Sequence, residues 1–66
     1  MSIEENNFYK SANEKFVKED YQGAIDDYSK SIELDPKNVN AWSNRALAKF
    51  NLENYQGAID DYSKAI

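Results

Sequence analysis

The segment YQGAIDDYSK occurs twice in this chain of 66 residues, starting at Tyr21 and again at Tyr55. The offset is 34 positions, and with two further residues included the copies agree at 11 of 12 places. The same offset pairs Phe8 with Trp42, Ala12 with Ala46, Lys15 with Lys49, Phe16 with Phe50 and Glu19 with Glu53. A period of this size marks stacked supersecondary units, each too small to bury its apolar face alone.

Each unit reads as two helices. Ser2 with Glu5 three residues later is a capping-box pattern. Asp20, Asn38 and Asn54 are of the types that cap helix N-termini, and each precedes a helical pattern. Pro36 ends the second helix, because the residue before a proline avoids the α region. The apolar residues step as a helix requires: Phe8, Ala12 and Phe16; Trp42, Ala46 and Phe50; Tyr21, Ala24, Ile25, Tyr28 and Ile32; and their copy Tyr55, Ala58, Ile59, Tyr62 and Ile66. These signals predict helices over about 3–18, 21–34, 39–52 and 55–66, joined by short turns. The alanines at 12, 24, 46 and 58 are the narrow points where helices approach. Gly23 and Gly57 fall in first turns, where glycine is least costly. Asp26 with Lys30, and Asp60 with Lys64, have the spacing of helical ion pairs.

Composition narrows the chemistry. The chain has no cysteine and no histidine, which removes disulfides, the usual general base and the usual metal ligands. Its net charge is −4, with acids and bases mixed, which argues against nucleic acid as partner. No apolar run approaches a membrane span and the N-terminus lacks a signal-peptide core, so the expectation is a soluble, cytoplasmic protein. There is no nucleophile–base pair, phosphate loop or metal spacing, so an enzyme, a cofactor and a metal site are not expected. The doublets Asp26-Asp27 and Asp60-Asp61 read as a solvated outer face, because adjacent helical residues point about 100° apart. The tyrosines at 21, 28, 55 and 62 read as core; Tyr9, outside the repeated stripe, is the tyrosine expected to meet a ligand.

The chain resembles the tetratricopeptide repeat family, whose unit is a 34-residue helix–turn–helix. From Glu5 the first unit supplies Phe8, Ala12, Tyr21, Ala24, Tyr28 and Pro36; from Val39 the second supplies Trp42, Ala46, Tyr55, Ala58 and Tyr62. The resemblance implies an all-α, right-handed helical-repeat solenoid of antiparallel hairpins: a single domain over 1–66, with repeat one at 5–38 and a truncated repeat two at 39–66. Three departures stand out. Lys15 and Lys49 replace the family's frequent aromatic, so their stems are expected to pack while their amines reach water. Ser11 and Arg45 replace a typical leucine. The second unit stops at Ile66 without a closing helix, as a fragment, a truncated chain or a self-associating piece would.

The resemblance further implies a protein–protein interaction module that takes a peptide or partner segment in a concave groove lined by the first helix of each unit. The expected groove residues are Asn6, Tyr9, Lys10, Asn13, Phe16 and Val17, with Asn40, Ser43, Asn44, Leu47, Phe50 and Asn51. The first and third helices agree at only 4 of the 13 positions in 8–20 against 42–54, as a ligand-reading surface or a loosely constrained one would. Their charges sum positive while those of the other helices sum negative, which favours a peptide bearing carboxylates. Asn13 and Asn44 also match two asparagines of the carboxylate-clamp subfamily, though Tyr9 stands where that clamp has a lysine and its third repeat is missing. The alternative expectation is self-association, or a designed or truncated repeat fragment with no ligand of its own. The self-association face would be Tyr55, Ala58, Ile59, Tyr62 and Ile66, a stripe left without a following helix pair.

Overall fold

The computed structural model describes the backbone from Ile3 to Ile66 and the side chains from Asn7 onward. The capping-box pair Ser2 and Glu5, and the groove candidate Asn6, lie outside the described side chains. Four helices follow one another: α1 (Ile3–Val17), α2 (Tyr21–Leu34), α3 (Val39–Asn51) and α4 (Tyr55–Ala65). α1 packs on α2, α2 on α3 and α3 on α4, so the chain is two stacked helical hairpins. The fold is all-α and of the expected helical-repeat type.

Local chemistry accounts for the boundaries. Asp20 Oδ1 accepts from Gly23 N at 3.1 Å, and Asn54 Oδ1 accepts from Gly57 N at 3.1 Å. Asn38 Oδ1 accepts from Ala41 N at a looser 3.4 Å. The two glycines have a steric reason beyond the mild cost of their position. A Cβ on Gly23 would overlap Asp20 Oδ2, and one on Gly57 would sit 2.6 Å from Asn54 Nδ2. A side chain there would displace the cap, which is worth about 1 kcal/mol.

The turns inside the hairpins close without glycine. Glu19 and Glu53 adopt left-handed backbone, with φ of 66° and 65°. Asp20 N donates to Lys15 O and Glu19 N to Phe16 O; Asn54 N and Glu53 N repeat the pattern onto Lys49 O and Phe50 O. This pair of bonds satisfies carbonyls that the helix end leaves open, which offsets a left-handed cost of roughly 1 kcal/mol per non-glycine residue. Between the hairpins, Trp42 Nε1 donates to Pro36 O at 2.8 Å and pins α3 to the turn before it.

Alanines carry the close approaches. Ala12, Ala24 and Ala41 share one core cluster with Tyr28 and Ile32, and Tyr9, Phe16 and Trp42 pack around it. Ala46, Ala48 and Ala58 are buried in the second half. The expected ion pairs along α2 and α4 do not form among the described residues. Asp26 and Asp60 instead accept from Gln22 and Gln56, and the Lys30 amine lies 5.4 Å from the centre of the Phe8 ring.

Candidate protein-binding groove

α1 and α3, both packed on α2, meet through two amides. Asn44 Nδ2 donates to Asn13 Oδ1 at 3.4 Å, across 31 residues of sequence. The Tyr28 hydroxyl, from α2 behind them, donates to the same Asn13 oxygen. Burial pushes the Tyr28 phenol up to about 12, so it stays a neutral donor. The Asn13 oxygen is therefore engaged twice from within the protein. The N–H groups of Asn13, and the second N–H of Asn44, are what this pair has left to offer.

The other expected groove residues fall into three groups. Lys10, Asn40, Leu47 and Asn51 are exposed, as are Val17 and Phe50, while Ser43 is half-buried. The Asn51 amide folds back to donate to Leu47 O at 2.9 Å. Tyr9 and Phe16 are more structural than expected. Tyr9 meets Tyr28 edge-on at 6.0 Å between ring centres, and Phe16 meets Tyr21 edge-on at 5.4 Å. A shallow depression of about 390 Å³ is lined by Lys10, Asn13, Glu14 and Val17 of α1 and by Lys18 just after it, with no contribution from α3.

The largest correction concerns the acids. Asp27 and Asp61 do not face solvent; they are buried between the helices of their hairpins, Asp61 to 3% exposure. In the first hairpin Asp27 Oδ2 accepts from Ser11 Oγ at 2.7 Å and meets Lys15 Nζ at 2.9 Å. In the second, Arg45 grips both oxygens of Asp61, Nε to Oδ2 at 2.8 Å and an NH2 nitrogen to Oδ1 at 2.9 Å, while Lys49 Nζ adds a contact at 2.9 Å. The departures at 11, 15, 45 and 49 are thus one polar contact built twice, 34 residues apart. The Lys15 and Lys49 amines end on carboxylates rather than simply in water.

Burial by itself would raise the Asp27 carboxyl, but hydrogen bonds from Lys15 and then Ser11 bring it below its ordinary value. Asp61 is likewise lowered: Arg45 and Lys49 outweigh its burial. The hydrogen bond to Asp27 raises Lys15. These pairings also revise the charge of the groove. Lys15, Arg45 and Lys49 supplied most of the positive sum on α1 and α3, and each is turned onto an internal acid. Lys10 on α1 and Lys18 just beyond its end are the exposed cations that remain there.

Arg45 does more than hold Asp61. Its Nη1 donates to Ser29 Oγ of α2 at 2.9 Å, and its guanidinium lies 4.9 Å from the centre of the Trp42 ring. One side chain thereby ties α2, α3 and α4 together. The sequence held a signal for this network. Ser11–Lys15 and Arg45–Lys49 are polar pairs four apart at places where apolar residues are typical, and such pairs need an internal counter-charge. Of each Asp doublet, only the second residue lies in helical register with Ala24 and Ser31, both buried, or with Ala58.

The expected self-association face is exposed in four of its five members. Tyr55, Ile59, Tyr62 and Ile66 are open, whereas Ala58 is buried and belongs to the packing within the hairpin. Among the described residues, no group of His, Cys, Asp or Glu side chains gathers as a metal site, and no helix is long and apolar enough to cross a membrane.

Comparison with known proteins agrees with this architecture. The family model described as TPR repeat matches residues 12–53. The chain belongs to the tetratricopeptide repeat family, a non-catalytic repeat module that mediates protein–protein interaction. It is also 51% identical over 41 residues to serine/threonine-protein phosphatase 5 of Arabidopsis thaliana. That match covers 62% of this chain and 8% of the relative, so the phosphatase named there is a property of a much longer protein.

Proposed function

We propose that this chain binds an extended peptide or partner segment along the groove formed by α1 and α3, with Asn13 and Asn44 as its fixed polar point. The observation that carries this reading is the contact between those two amides, backed by Tyr28. Because the internal bonds take the Asn13 oxygen, the pair presents N–H donors, which suit an acceptor: a backbone carbonyl or a carboxylate. Val17, Leu47 and Phe50 supply exposed apolar surface for neighbouring side chains, and Lys10 a cation beside them. The positive charge is smaller than the composition of α1 and α3 implies, so amide geometry matters more than electrostatic attraction. A cytoplasmic setting belongs to the same reading, supported by a chain without cysteine.

Trp42 is the only tryptophan and lies on α3, so its fluorescence offers a readout for binding. Peptides ending in a free carboxylate are expected to bind more tightly than the same peptides amidated. Asn13→Ala with Asn44→Ala is expected to weaken binding roughly tenfold or more, since hydrogen bonds to charged groups contribute about 1.5–3 kcal/mol. Equal affinity for wild type and a double variant of unchanged helicity would remove the groove reading.

A further inference from the structure

A side-chain amide has two settings half a turn apart, with oxygen and nitrogen exchanged, and its neighbours decide between them. In the groove, the contact of Asn13 with Asn44 does not decide by itself. With both amides turned over, Asn13 would donate to Asn44 instead of accepting from it, and the pair would still hold one hydrogen bond. The two settings differ in what they offer a ligand. One aims the N–H groups of Asn13 into the groove and suits an acceptor; the other aims its oxygen there and repels one.

Tyr28 breaks the tie from behind. Its side chain comes from α2 and is 1% exposed, so its hydroxyl hydrogen has no water to turn to, and Asn13 Oδ1 is the acceptor it has. With Asn13 turned over, that hydrogen would face N–H groups, and a buried donor left without a partner is costly. Burial pushes the Tyr28 phenol up to about 12, so it keeps the hydrogen it donates. Asn44 acts on the phenol as a donor and opposes part of that rise, so the N–H edge of Asn44 faces inward too. The ring is held in place: Tyr9 meets it edge-on at 6.0 Å, and Ala24, Ile32 and Ala41 share its core cluster. The second hairpin keeps the tyrosine, as Tyr62, but has Leu47 at the place of Asn13. The pairing of phenol and amide is therefore no part of the repeated scaffold. It occurs where the two groove amides meet.

We infer that the buried phenol of Tyr28 is a positioning residue for the groove, which holds the Asn13 oxygen inward and its N–H groups outward and so sets a preference for ligands that carry an acceptor. Tyr28 touches no ligand and acts through Asn13. Its effect on ligand choice rests on the groove reading above, whereas its hold on the amide does not.

Tyr28→Phe keeps the ring and removes the hydroxyl, and two measurements separate the two parts. The first needs no peptide. Accepting a hydrogen bond shifts a carbonyl carbon downfield in nuclear magnetic resonance, so the side-chain carbonyl carbon of Asn13 is expected to move upfield in Tyr28→Phe, with that of the exposed Asn40 unmoved. An unmoved Asn13 carbon in a helical variant would overturn the inference. The second compares one peptide with a free carboxylate and amidated at its end. Wild type is expected to prefer the carboxylate roughly tenfold, and Tyr28→Phe less than about threefold, because Asn13 can then present either edge. A merely structural role would weaken both forms alike, and an unchanged ratio would overturn the inference. Wild type that binds neither form would remove the groove reading, and the Asn13 carbon would still decide whether Tyr28 holds the amide. If circular dichroism shows Tyr28→Phe unfolded, the Tyr28 hydroxyl proton decides. It is expected as a resolved signal in wild type and to be lost to exchange with water in Asn13→Ala; a signal that persists there would overturn the inference.

Discussion

Tyr28 and Tyr62 hold the same place in the two copies of one segment, yet the first is 1% exposed and the second 39%. Ile32 and Ile66 differ in the same direction. α2 and α4 are nearly one sequence in two surroundings: α2 lies between α1 and α3, whereas α4 has only α3. Burial is therefore not a property that the segment carries with it. The helix forms in both places because its cap, its turn and its own hairpin partner are repeated. Only the residues facing the next helix change their energetic role, from core to open surface.

The sharpest way to break this comparison is to truncate both tyrosines. Tyr28→Ala removes a buried ring that packs on Tyr9 and donates to Asn13. Losses of about 3–5 kcal/mol are usual for large buried aromatics. A domain of this length has only about 3–10 kcal/mol in all, so Tyr28→Ala is expected to be largely unfolded. Tyr62→Ala should cost less than about 1 kcal/mol. Urea titration followed by circular dichroism measures both. Similar losses from the two substitutions would mean that α4 is covered in solution.

Next in size is the contrast between the two buried acids. Asp61 is held by an arginine on both oxygens and by a lysine, whereas Asp27 has one lysine, which is 41% exposed, and a serine. Asp61→Ala leaves two cations facing each other with little water, and about 3 kcal/mol is expected. Asp27→Ala should cost about 1–2 kcal/mol, because Lys15 can turn to solvent. The pH dependence has a definite sign. Both carboxyls lie below their ordinary value of 3.8 in the folded chain, so their contribution is complete above it and is lost as the pH falls through it. Tyr28 behaves oppositely. Its raised value favours the folded state fully below pH 10, and that contribution is lost as the pH climbs from 10 toward 12. Asp61→Ala should flatten the acid limb more than Asp27→Ala does. Equal acid limbs would show that the second cation on Asp61 adds nothing.

The helix ends were legible because their causes are local: Asp20, Asn38 and Asn54 act on amides three residues away, and Pro36 acts on its neighbour. The stripes of alanine and aromatic residues were legible because they repeat. The inward turn of Asp27 and Asp61 was not, because each half of an Asp doublet is equally polar. Which half faces in depends on the residues that α1 and α3 present across the hairpin. The groove was half legible. The match of Asn13 and Asn44 to a known clamp brought them together, but the phenol of Tyr28 behind them comes from a third helix that no spacing in α1 or α3 reveals. The positive sum on those helices misled because charge was counted without asking which cations have internal partners.

The smallest contrast is a single atom in the one position of the twelve where the two copies differ. Ser31 in α2 is fully buried, and its hydroxyl has no hydrogen-bond partner among the described residues. Its counterpart in α4 is Ala65. A buried hydroxyl without a partner loses its water and gains nothing in return, whereas alanine of nearly the same shape has nothing to lose. Ser31→Ala is expected to raise stability by up to about 1 kcal/mol, visible as a later urea midpoint at unchanged slope. The reverse change, Ala65→Ser, lies at the open end of the stack and should stay within roughly 0.5 kcal/mol of wild type. A loss from Ser31→Ala would mean that the hydroxyl is held by ordered water inside the stack, and the same segment would then differ between its two surroundings in hydration as well as in packing.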